Sequence, residues 1–550
     1  MLEQCQTGEG PDISHVDWTK IAVEKNSLPQ LLDHCEKLHA DRELVVFDDR
    51  RISYGDAAAA ARRLSAGLLQ AGVGKGQRIG IMLPNSPEFA ITWFAVAQIG
   101  AVAVPISTLA SPVELRHIFA GSSISLLIAR PDYLGHDLIG RIEQALAGPA
   151  GEEPLPFLRD VWLWDGGKDS RHDNIETHLR DDEARVRAAM QSVAPADLIS
   201  IIYTSGSASL PKGVIHSHAT FLRSAQRWTA SMDYRHGDRV YNSAPFFWVG
   251  GLVTGLLTVM EVGATLIGCS YGGAAMADFI VAERCTLLAT SKLIGQSLKA
   301  VPGIHERDFS ALRGGSVPEF LPQHLRTRNQ IYFGNALGMT ETAGPHTLAL
   351  PDVDDAHIGS MGPLAPGMQH RIIDRNTGQD VPSGERGELL VRGDTLMLGY
   401  VGQEPRDVLD TDGWFHTGDI CSYRDGHLFL HGRIDNLIKV SGANVAPAEV
   451  EAALVTLDGV EAAFAAGFTD SRRGQVVGAL VKLMPGARLD PDDAIRALRA
   501  RLAPYKVPRL LVLADALPLT ATSKIDQRAA KAMIRDGINV LAANVSHQSA

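Results

Sequence analysis

Apolar residues in the first part of the chain form short runs that alternate with longer amphipathic segments. The runs 44–47 and 52–54 flank a polar Asp-Asp-Arg-Arg turn and predict a β-hairpin. Residues 55–71 carry leucines at helical spacing and predict a helix that ends at Gly72. The same alternation continues with strands at 78–83, 101–105 and 125–129 and a helix at 87–99. Alternating strands and helices predict parallel α/β layers.

A second alternating series begins with the apolar run 198–203, which is rich in β-branched residues and predicts a buried strand. It continues with strands at 239–244, 264–267 and 286–289 and an apolar helix after Val249. From about Met361 the pattern changes to short strands at 370–374, 387–392 and 427–431, which predict a small antiparallel barrel or sheet.

The fold class predicted from these patterns is α/β, with a large N-terminal domain followed by a small α+β C-terminal domain. The N-terminal domain is assigned to residues 1–433, with α/β subdomains at about 1–190 and 191–360 and a β subdomain at about 361–433. The C-terminal domain is assigned to residues 434–550, which is long enough for a separate small domain.

Composition and charge narrow the class of protein. Apolar residues make up 45% of the 550 residues and charged residues 21%, so a large folded core is expected and global disorder is not. The net charge of −11 and the lack of a basic run argue against a nucleic-acid partner. The five cysteines are scattered and form no Cys-x-x-Cys, which predicts a reducing, cytoplasmic location without a disulfide framework or zinc cluster.

No transmembrane segment or signal sequence is expected. The N-terminus is polar. The longest membrane-like run, residues 244–260, is interrupted by three glycines and is shorter than the roughly 20 apolar residues that a span requires. A buried helix is the better interpretation of this run.

A hydroxyl-rich loop follows the strand at 198–203. Its hydroxyls, backbone N–H groups and lysine charge suit a polyphosphate, whereas the alternative is a serine-rich surface turn. The order Pro-Lys-Gly at 211–213 excludes a Walker A loop, which needs Gly-Lys-Ser/Thr at its end. The candidate phosphate-binding residues are Thr204, Ser205, Gly206, Ser207 and Lys212.

The loop resembles the phosphate-binding loop of the adenylate-forming superfamily, which contains acyl- and aryl-CoA synthetases, peptide-synthetase adenylation domains and firefly luciferases. The family pattern is Tyr-Thr-Ser-Gly-Thr-Thr-Gly-x-Pro-Lys-Gly, and residues 203–213 match its first four and last three positions. Ser207, Ala208 and Ser209 replace Thr-Thr-Gly. Ser207 keeps a hydroxyl, but Ser209 lacks the freedom of glycine, so loop mobility or ATP affinity is expected to differ from the family norm.

Two further stretches resemble the nucleotide-binding motifs of this family. Residues 335–342 are similar to its Tyr-Gly-x-Thr-Glu motif, with Leu337 where an aromatic ring usually stacks on adenine. Thr340 and Glu341 would then be catalytic, with Glu341 a ligand of the Mg²⁺ ion on ATP, although alone they could form any polar turn. The second stretch, residues 314–318, resembles the family's upstream adenine-contacting turn. The resemblance implies nucleotide-binding roles for Gly315, Ser316, Val317, Asn335, Ala336, Leu337, Gly338 and Met339.

Motifs on either side of the domain boundary carry the ribose-binding, hinge and catalytic-lysine assignments. Residues 412–419 and 432–439 resemble segments in which Asp419 and Arg433 would contact the ribose and Asp435 would be the hinge of a mobile C-terminal domain. Lys524 resembles the catalytic lysine that bridges the substrate carboxylate and the α-phosphate. Taken singly, each could be an ordinary turn ion pair or a solvated surface lysine.

Two stretches bear on the acid and the acceptor. Residues 245–251 resemble the border of the acyl pocket, so Trp248, Val249 and Gly250 are assigned to it, with plain core as the alternative. Residues 441–449 resemble the pantetheine channel of CoA ligases, which assigns Ser441 and Gly442 to CoA. The family's aspartate for an α-amino group is not found, which disfavours amino acids, and no fused carrier is expected.

Together the motifs predict an ATP-dependent carboxylic acid:CoA ligase that forms an acyl-CoA through an acyl-adenylate, on a hydrophobic fatty or aryl acid. ATP, Mg²⁺ and CoA are the expected cofactors, and a homodimer is compatible with the sequence. The alternatives are a stand-alone acyl-AMP ligase that loads a carrier protein, a luciferase-like oxygenase and a nucleotide-binding pseudoenzyme.

Overall fold

The computed structural model describes most of the chain, with short gaps. The described residues are 27–148, 155–166, 172–204, 210–289, 292–315, 320–321, 335–349, 357–434, 438–440, 443–470, 474–499, 501–502, 504–520 and 525–547. The chain divides into two compact units. The larger unit comprises residues 1–369, 391–415 and 425–428, and the smaller unit comprises residues 370–390, 416–424 and 429–550.

The first sheet of the larger unit has six strands and contains the predicted N-terminal hairpin. Val45 and Val46 pair with Ile52 and Arg51 in antiparallel register, which confirms that hairpin. The other described neighbours in this sheet are parallel, as predicted. In spatial order the strands are Gly314–Gly315, Leu287–Leu288, Arg239–Tyr241, Thr265–Gly268, Glu43–Phe47 and Arg50–Ser53.

The second sheet has eight strands and is mixed rather than parallel throughout. The strand Leu198–Thr204 lies parallel to Val102–Pro105 but antiparallel to Lys212–Ser217. It therefore belongs to the sheet of the first series, whereas the sequence assigned it to the second. In spatial order the strands are Gly399–Tyr400, Lys212–Ser217, Leu198–Thr204, Val102–Pro105, Arg78–Met82, Leu126–Ala129, Asp160–Leu163 and Asp173–Asn174.

Helices of the larger unit bury its core. All twelve residues of Pro87–Gln98 are buried, and Ser86 caps its start by accepting a hydrogen bond from the Phe89 backbone N–H. The predicted helix at 55–71 spans Tyr54–Gln70, and Gly72 has a φ of +81°. The other described helices are Leu28–His39, Pro112–Gly121, Leu138–Ala147, Glu183–Gln191, His218–Ser231, Gly273–Ala282 and Lys292–Lys299.

The apolar run after Val249 forms one helix in three parts. An α-helical start at Val249–Gly251 leads into a π-helical stretch, Leu252–Leu257, and then into Thr258–Val262. Most of its residues are buried, which confirms the buried-helix interpretation. Among the residues that the structure describes, no helix is long and apolar enough to cross a membrane.

The region predicted as a small barrel or sheet forms a four-stranded sheet, and its closure into a barrel remains a prediction. Its strands follow one another in space as Met368–Ile373, Gly387–Gly393, Phe415–Arg424 and His427–Arg433.

The smaller unit has its own apolar core and a further sheet. The strand Gly474–Leu483 pairs antiparallel with Val460–Asp470 and parallel with Leu510–Ala514. Apolar side chains of these strands pack against the helices. The remaining elements are the strands Ile438–Val440 and Ala443–Val445 and the helices Pro447–Val455, Pro491–Leu498 and Gln527–His547. This α+β composition agrees with the predicted C-terminal fold, whereas the domain boundaries remain predictions.

Candidate functional site

Two strands frame the hydroxyl-rich loop. Thr204 ends one and Lys212 begins the other, and the two residues are register partners in the antiparallel pair. The pairing places the ends of the loop side by side at one edge of the strand pair, with Lys212 exposed. Ser205, Gly206 and Ser207 lie outside the described residues.

Thr340 and Glu341 lie in a tight hairpin. Gly338 and Met339 pair antiparallel with Pro345 and Gly344, and the reversal is a 3-10 turn at Thr340–Thr342. Position 338 requires glycine, because an added Cβ would lie 2.7 Å from backbone atoms of the opposite strand. The hairpin thus presents a hydroxyl and a carboxylate on adjacent residues of a constrained turn.

His216 connects this hairpin to the strand after the loop. Its Nε2 donates a hydrogen bond to the Thr340 backbone oxygen at 2.8 Å, which is the orientation that an accepting carbonyl requires. The ring is completely buried, and burial lowers the pKa of His216 to about 4. His216 is therefore neutral near pH 7 and holds the hairpin without adding positive charge.

Tyr400 lies between the hairpin and the loop lysine. Its hydroxyl donates to Glu341 Oε1 at 2.8 Å, and its ring centroid is 5.2 Å from Lys212 Nζ. The backbone reinforces this arrangement, since the Met397 N–H donates to the Glu341 carbonyl oxygen at 2.7 Å. The predicted lysine and carboxylate thus meet around one aromatic ring.

The predicted adenine-contacting residues are only partly described. Gly315 has a φ of +97°, and an added Cβ would lie 2.2 Å from the Leu288 carbonyl oxygen, so this position requires glycine. Ala336 and Leu337 are half-buried and Asn335 is exposed at the start of the Thr340–Glu341 hairpin. Ser316 and Val317 lie outside the described residues, so the adenine wall remains a prediction.

The start of the apolar helix lies against the same hairpin. Val249 Cγ1 lies 3.7 Å from the place that a Cβ at Gly344 would occupy. Trp248 is half-buried, whereas Phe246 and Phe247 are buried core residues. The assignment of Trp248, Val249 and Gly250 to the acyl pocket remains a prediction.

Two asparagines fix the segment that leads to Trp248. Asn85 donates to the Ala244 carbonyl oxygen at 2.9 Å and accepts from the Phe246 N–H at 2.7 Å. Asn242 accepts from the Ala244 N–H at 2.8 Å. An added Cβ at Gly250 would lie in ordinary van der Waals contact, 3.5 Å from the Ala244 side chain, so this position tolerates a small side chain.

The predicted ribose contacts lie in the smaller unit. Asp419 is buried, and its Oδ1 lies 3.5 Å from Nε of the half-exposed Arg433. Arg433 also donates to the Thr417 carbonyl oxygen at 2.8 Å, so the two predicted partners form one cluster. The remaining predicted residues in this part of the chain, Asp435, Ser441, Gly442 and Lys524, lie outside the described residues.

The donor set at Thr340 and Glu341 suits magnesium carried on a nucleotide. Among the described residues, His, Cys, Asp and Glu side chains form no group of three that could hold a metal ion. Mg²⁺ commonly takes one or two carboxylates together with substrate phosphates and waters, and so needs no all-protein site. Glu341 would supply the carboxylate and Thr340 the neighbouring hydroxyl.

Sequence reasoning missed His216 and Tyr400. Neither lies at a motif position used for the assignments, and both act through partners more than 50 residues away, at separations of 124 and 59. The sequence shows only that His216 follows the hydroxyl-rich loop closely and that Tyr400 follows a glycine. Neither fact identifies the residue that each one contacts.

Family models match most of the chain. The model for "AMP-binding enzyme" matches residues 32–401, and that for "AMP-binding enzyme C-terminal domain" matches residues 449–524. The chain is 32% identical over 486 residues to a feruloyl-CoA synthase of an Amycolatopsis species, covering 86% of this chain and 92% of that protein. It is 30% identical to the long-chain-fatty-acid–CoA ligase FadD13 of Mycobacterium tuberculosis, covering 87% and 92% of the two chains.

Solved structures share the fold. The anthranilate CoA ligase AuaEII in complex with anthranoyl-AMP superimposes with a TM-score of 0.77 at 24% identity, covering 92% of this chain and 96% of that chain. A fatty acyl-CoA synthetase of Mycobacterium tuberculosis gives a TM-score of 0.71 at 25% identity, covering 93% and 99%. These likenesses confirm the mixed α/β fold with a large N-terminal and a small C-terminal domain.

Proposed function

The chain belongs to the AMP-binding enzyme family, and from that premise we propose that it is an ATP-dependent carboxylic acid:CoA ligase of the AMP-forming type. The observation that supports this most directly is the convergence of Lys212 and Glu341 around Tyr400. A cation beside the phosphate loop and a carboxylate suited to magnesium are the two charges that a bound ATP requires.

The first half-reaction joins the acid to AMP. A carboxylate oxygen of the acid attacks the α-phosphorus of ATP, the bond from the α-phosphorus to the bridging oxygen breaks, and pyrophosphate leaves. Lys212 and the loop hydroxyls hold the phosphates, and Lys524 offsets the repulsion between the two anions. Magnesium, when bound, neutralises phosphate charge, and Glu341 with Thr340 would hold it.

The second half-reaction transfers the acyl group to CoA. The thiol sulfur attacks the acyl carbon, the bond to the AMP oxygen breaks, and the thiol proton is lost to solvent. We assign the pantetheine channel to Ser441 and Gly442 and the hinge to Asp435, about which the C-terminal domain would turn between the two steps. Asp419 and Arg433 would hold the ribose in both.

The acid is proposed to be hydrophobic, either fatty or aryl. Trp248 offers a large apolar side chain, Val249 a branched apolar side chain beside the Thr340–Glu341 hairpin, and Gly250 a position without a side chain. The two relatives support this range of acids, because one is named as a feruloyl-CoA synthase and the other as a long-chain-fatty-acid–CoA ligase.

The finer organisation follows the same proposal. The N-terminal domain would comprise residues 1–433, with subdomains at about 1–190, 191–360 and 361–433, and the C-terminal domain residues 434–550. A homodimer in the cytoplasm is the proposed state. Scattered cysteines support a reducing compartment, and the four described ones are buried as free thiols.

The direct test measures pyrophosphate release with a panel of fatty, aryl and polycyclic acids, each with and without CoA. Acid-dependent release followed by appearance of the acyl-CoA thioester is the expected result. Release without any CoA thioester would favour the carrier-loading ligase, and ATP binding without release for any acid would favour the pseudoenzyme.

A further inference from the structure

Tyr400 contacts two of the charged residues assigned to magnesium–ATP, Glu341 and Lys212. Its hydroxyl lies 2.8 Å from Glu341 Oε1, and its ring centroid lies 5.2 Å from Lys212 Nζ. The three residues come from segments far apart in sequence. Their meeting is therefore set by the fold and not by a local motif.

Backbone pairing fixes Tyr400 beside the strand that begins with Lys212. Gly399 and Tyr400 pair with Ile215 and Val214 on the strand that begins with Lys212. The Val401 N–H also donates to the Gly213 carbonyl oxygen at 2.8 Å. Tyr400 is also only 8% exposed, so its side chain is largely enclosed by other atoms of the protein.

Each end of the tyrosine has a different electrostatic role. The hydroxyl donates to an ionised carboxylate, and such charge-assisted bonds are about twice as strong as neutral ones. The ring face attracts an ammonium group within about 6 Å of its centroid. One side chain can thus orient an anion and a cation at the same time.

We propose that Tyr400 is a positioning residue that fixes the Glu341 carboxylate and the Lys212 ammonium relative to each other for magnesium–ATP binding. The inference rests on the proposed function for the identity of the ligand. The hydroxyl orients Glu341, the proposed magnesium ligand, whereas the ring orients Lys212, the proposed phosphate-binding residue. The two contributions are separable by substitution.

Two variants of Tyr400 separate these contributions. Tyr400→Phe keeps the ring and removes the hydroxyl, and Tyr400→Leu removes both. ATP binding is measured by calorimetry on the full chain, without acid or CoA, in excess Mg²⁺ and again in EDTA. Tyr241→Phe is the control, since that tyrosine is also buried and its hydroxyl lies 3.4 Å from Cys269 Sγ in the first sheet.

Tyr400→Phe should weaken ATP binding about 10-fold in Mg²⁺ and leave it within about 2-fold in EDTA, because only the bond to Glu341 is lost. Tyr400→Leu should weaken binding in EDTA as well, by about 3-fold, since the ring contact to Lys212 is also removed. Tyr241→Phe should bind as the wild type does in both conditions.

Several outcomes would overturn the role of Tyr400. Equal losses in Mg²⁺ and EDTA for Tyr400→Phe, an unchanged affinity, or a matching loss in Tyr241→Phe would each do so. The proposed function fails separately: wild-type protein that binds magnesium–ATP as described but adenylates no acid contradicts the ligase and leaves the positioning role intact. Wild-type protein that binds no ATP contradicts both.

Discussion

Lowering the pH from about 7 to 5 should destabilise the larger unit, because three of its histidines are buried in the neutral form. His216, His218 and His346 are each 0% exposed, and burial lowers the pKa of each from 6.5 to about 4. The unfolded chain therefore takes up protons at these positions before the folded chain does. The stability that the neutral histidines contribute is fully present above pH 6.5. It is lost as the pH falls from 6.5 to about 4, and it does not change further below that.

The size of the effect follows from the pKa differences. Between pH 6.5 and about 4, each unit by which the pH falls lowers the free energy of unfolding by about 1.4 kcal/mol per histidine. Between about pH 6.5 and 5 each histidine should therefore remove about 2 kcal/mol, and the three together about 6 kcal/mol. Because whole domains are stable by about 5–15 kcal/mol, the loss should be readily measured.

Urea unfolding followed by tryptophan fluorescence isolates this unit. All seven tryptophans lie within the residue ranges of the larger unit, at positions 18, 93, 162, 164, 228, 248 and 414. The variant His216→Gln removes one of the three titrations and should lower the pH slope by about one third. His305→Gln, at an exposed histidine, is the control and should keep the wild-type slope.

Two results would refute the reasoning. An unfolding free energy that is the same at both pH values would mean that these histidines are protonated in the folded protein or accessible to solvent. A slope in His216→Gln equal to that of the wild type would remove His216 from the set.

Three further predictions concern the site. Gly338→Ala should destabilise the Thr340–Glu341 hairpin by about 1–3 kcal/mol and reduce adenylation, because its Cβ would lie 2.7 Å from backbone atoms. Gly272→Ala is the control, since a Cβ there meets nothing within 4 Å. Equal urea midpoints for the two variants would contradict the predicted clash. Lys524→Ala should abolish pyrophosphate release yet spare capture of a supplied acyl-adenylate by CoA; equal loss of both half-reactions would contradict its role. Trp248→Ala should shift the acid preference in the pyrophosphate assay, and an unchanged profile would place Trp248 in the core.

Local patterns predicted individual elements well where hydrophobic periodicity and capping agree. The helix Pro87–Gln98, with proline at its start and a Ser86 cap, was predicted almost to its ends. The hairpin at Glu43–Phe47 and Arg50–Ser53 was also predicted from its polar turn. In both cases the residues that decide the structure are neighbours in sequence.

Sheet membership depends on contacts that no local pattern records. The strand Leu198–Thr204 has the apolar run expected of a buried strand, but its partners are Val102–Pro105 and Lys212–Ser217. A buried strand carries the same apolar residues in either sheet, so hydrophobicity alone could not assign it to the first series.

The site shows the same division. Thr340, Glu341 and Lys212 were identified from motifs because their chemistry is local, whereas the groups that orient them were not. His216 and Tyr400 are ordinary residues in sequence, and only the fold brings them to the Thr340 carbonyl and the Glu341 carboxylate. Residues that orient others therefore require the three-dimensional structure.

The central claim, that an acid oxygen attacks the α-phosphorus of ATP, is tested most directly by isotope transfer. The enzyme is incubated with an acid that it accepts, labelled with oxygen-18 in both carboxylate oxygens, together with ATP, Mg²⁺ and CoA. The oxygen-18 content of the products is then measured by mass spectrometry. The account predicts one labelled oxygen in AMP and unlabelled pyrophosphate, because the attacking oxygen remains on phosphorus when the thiol takes the acyl group. Unlabelled AMP, or labelled inorganic phosphate formed with ADP, would contradict it.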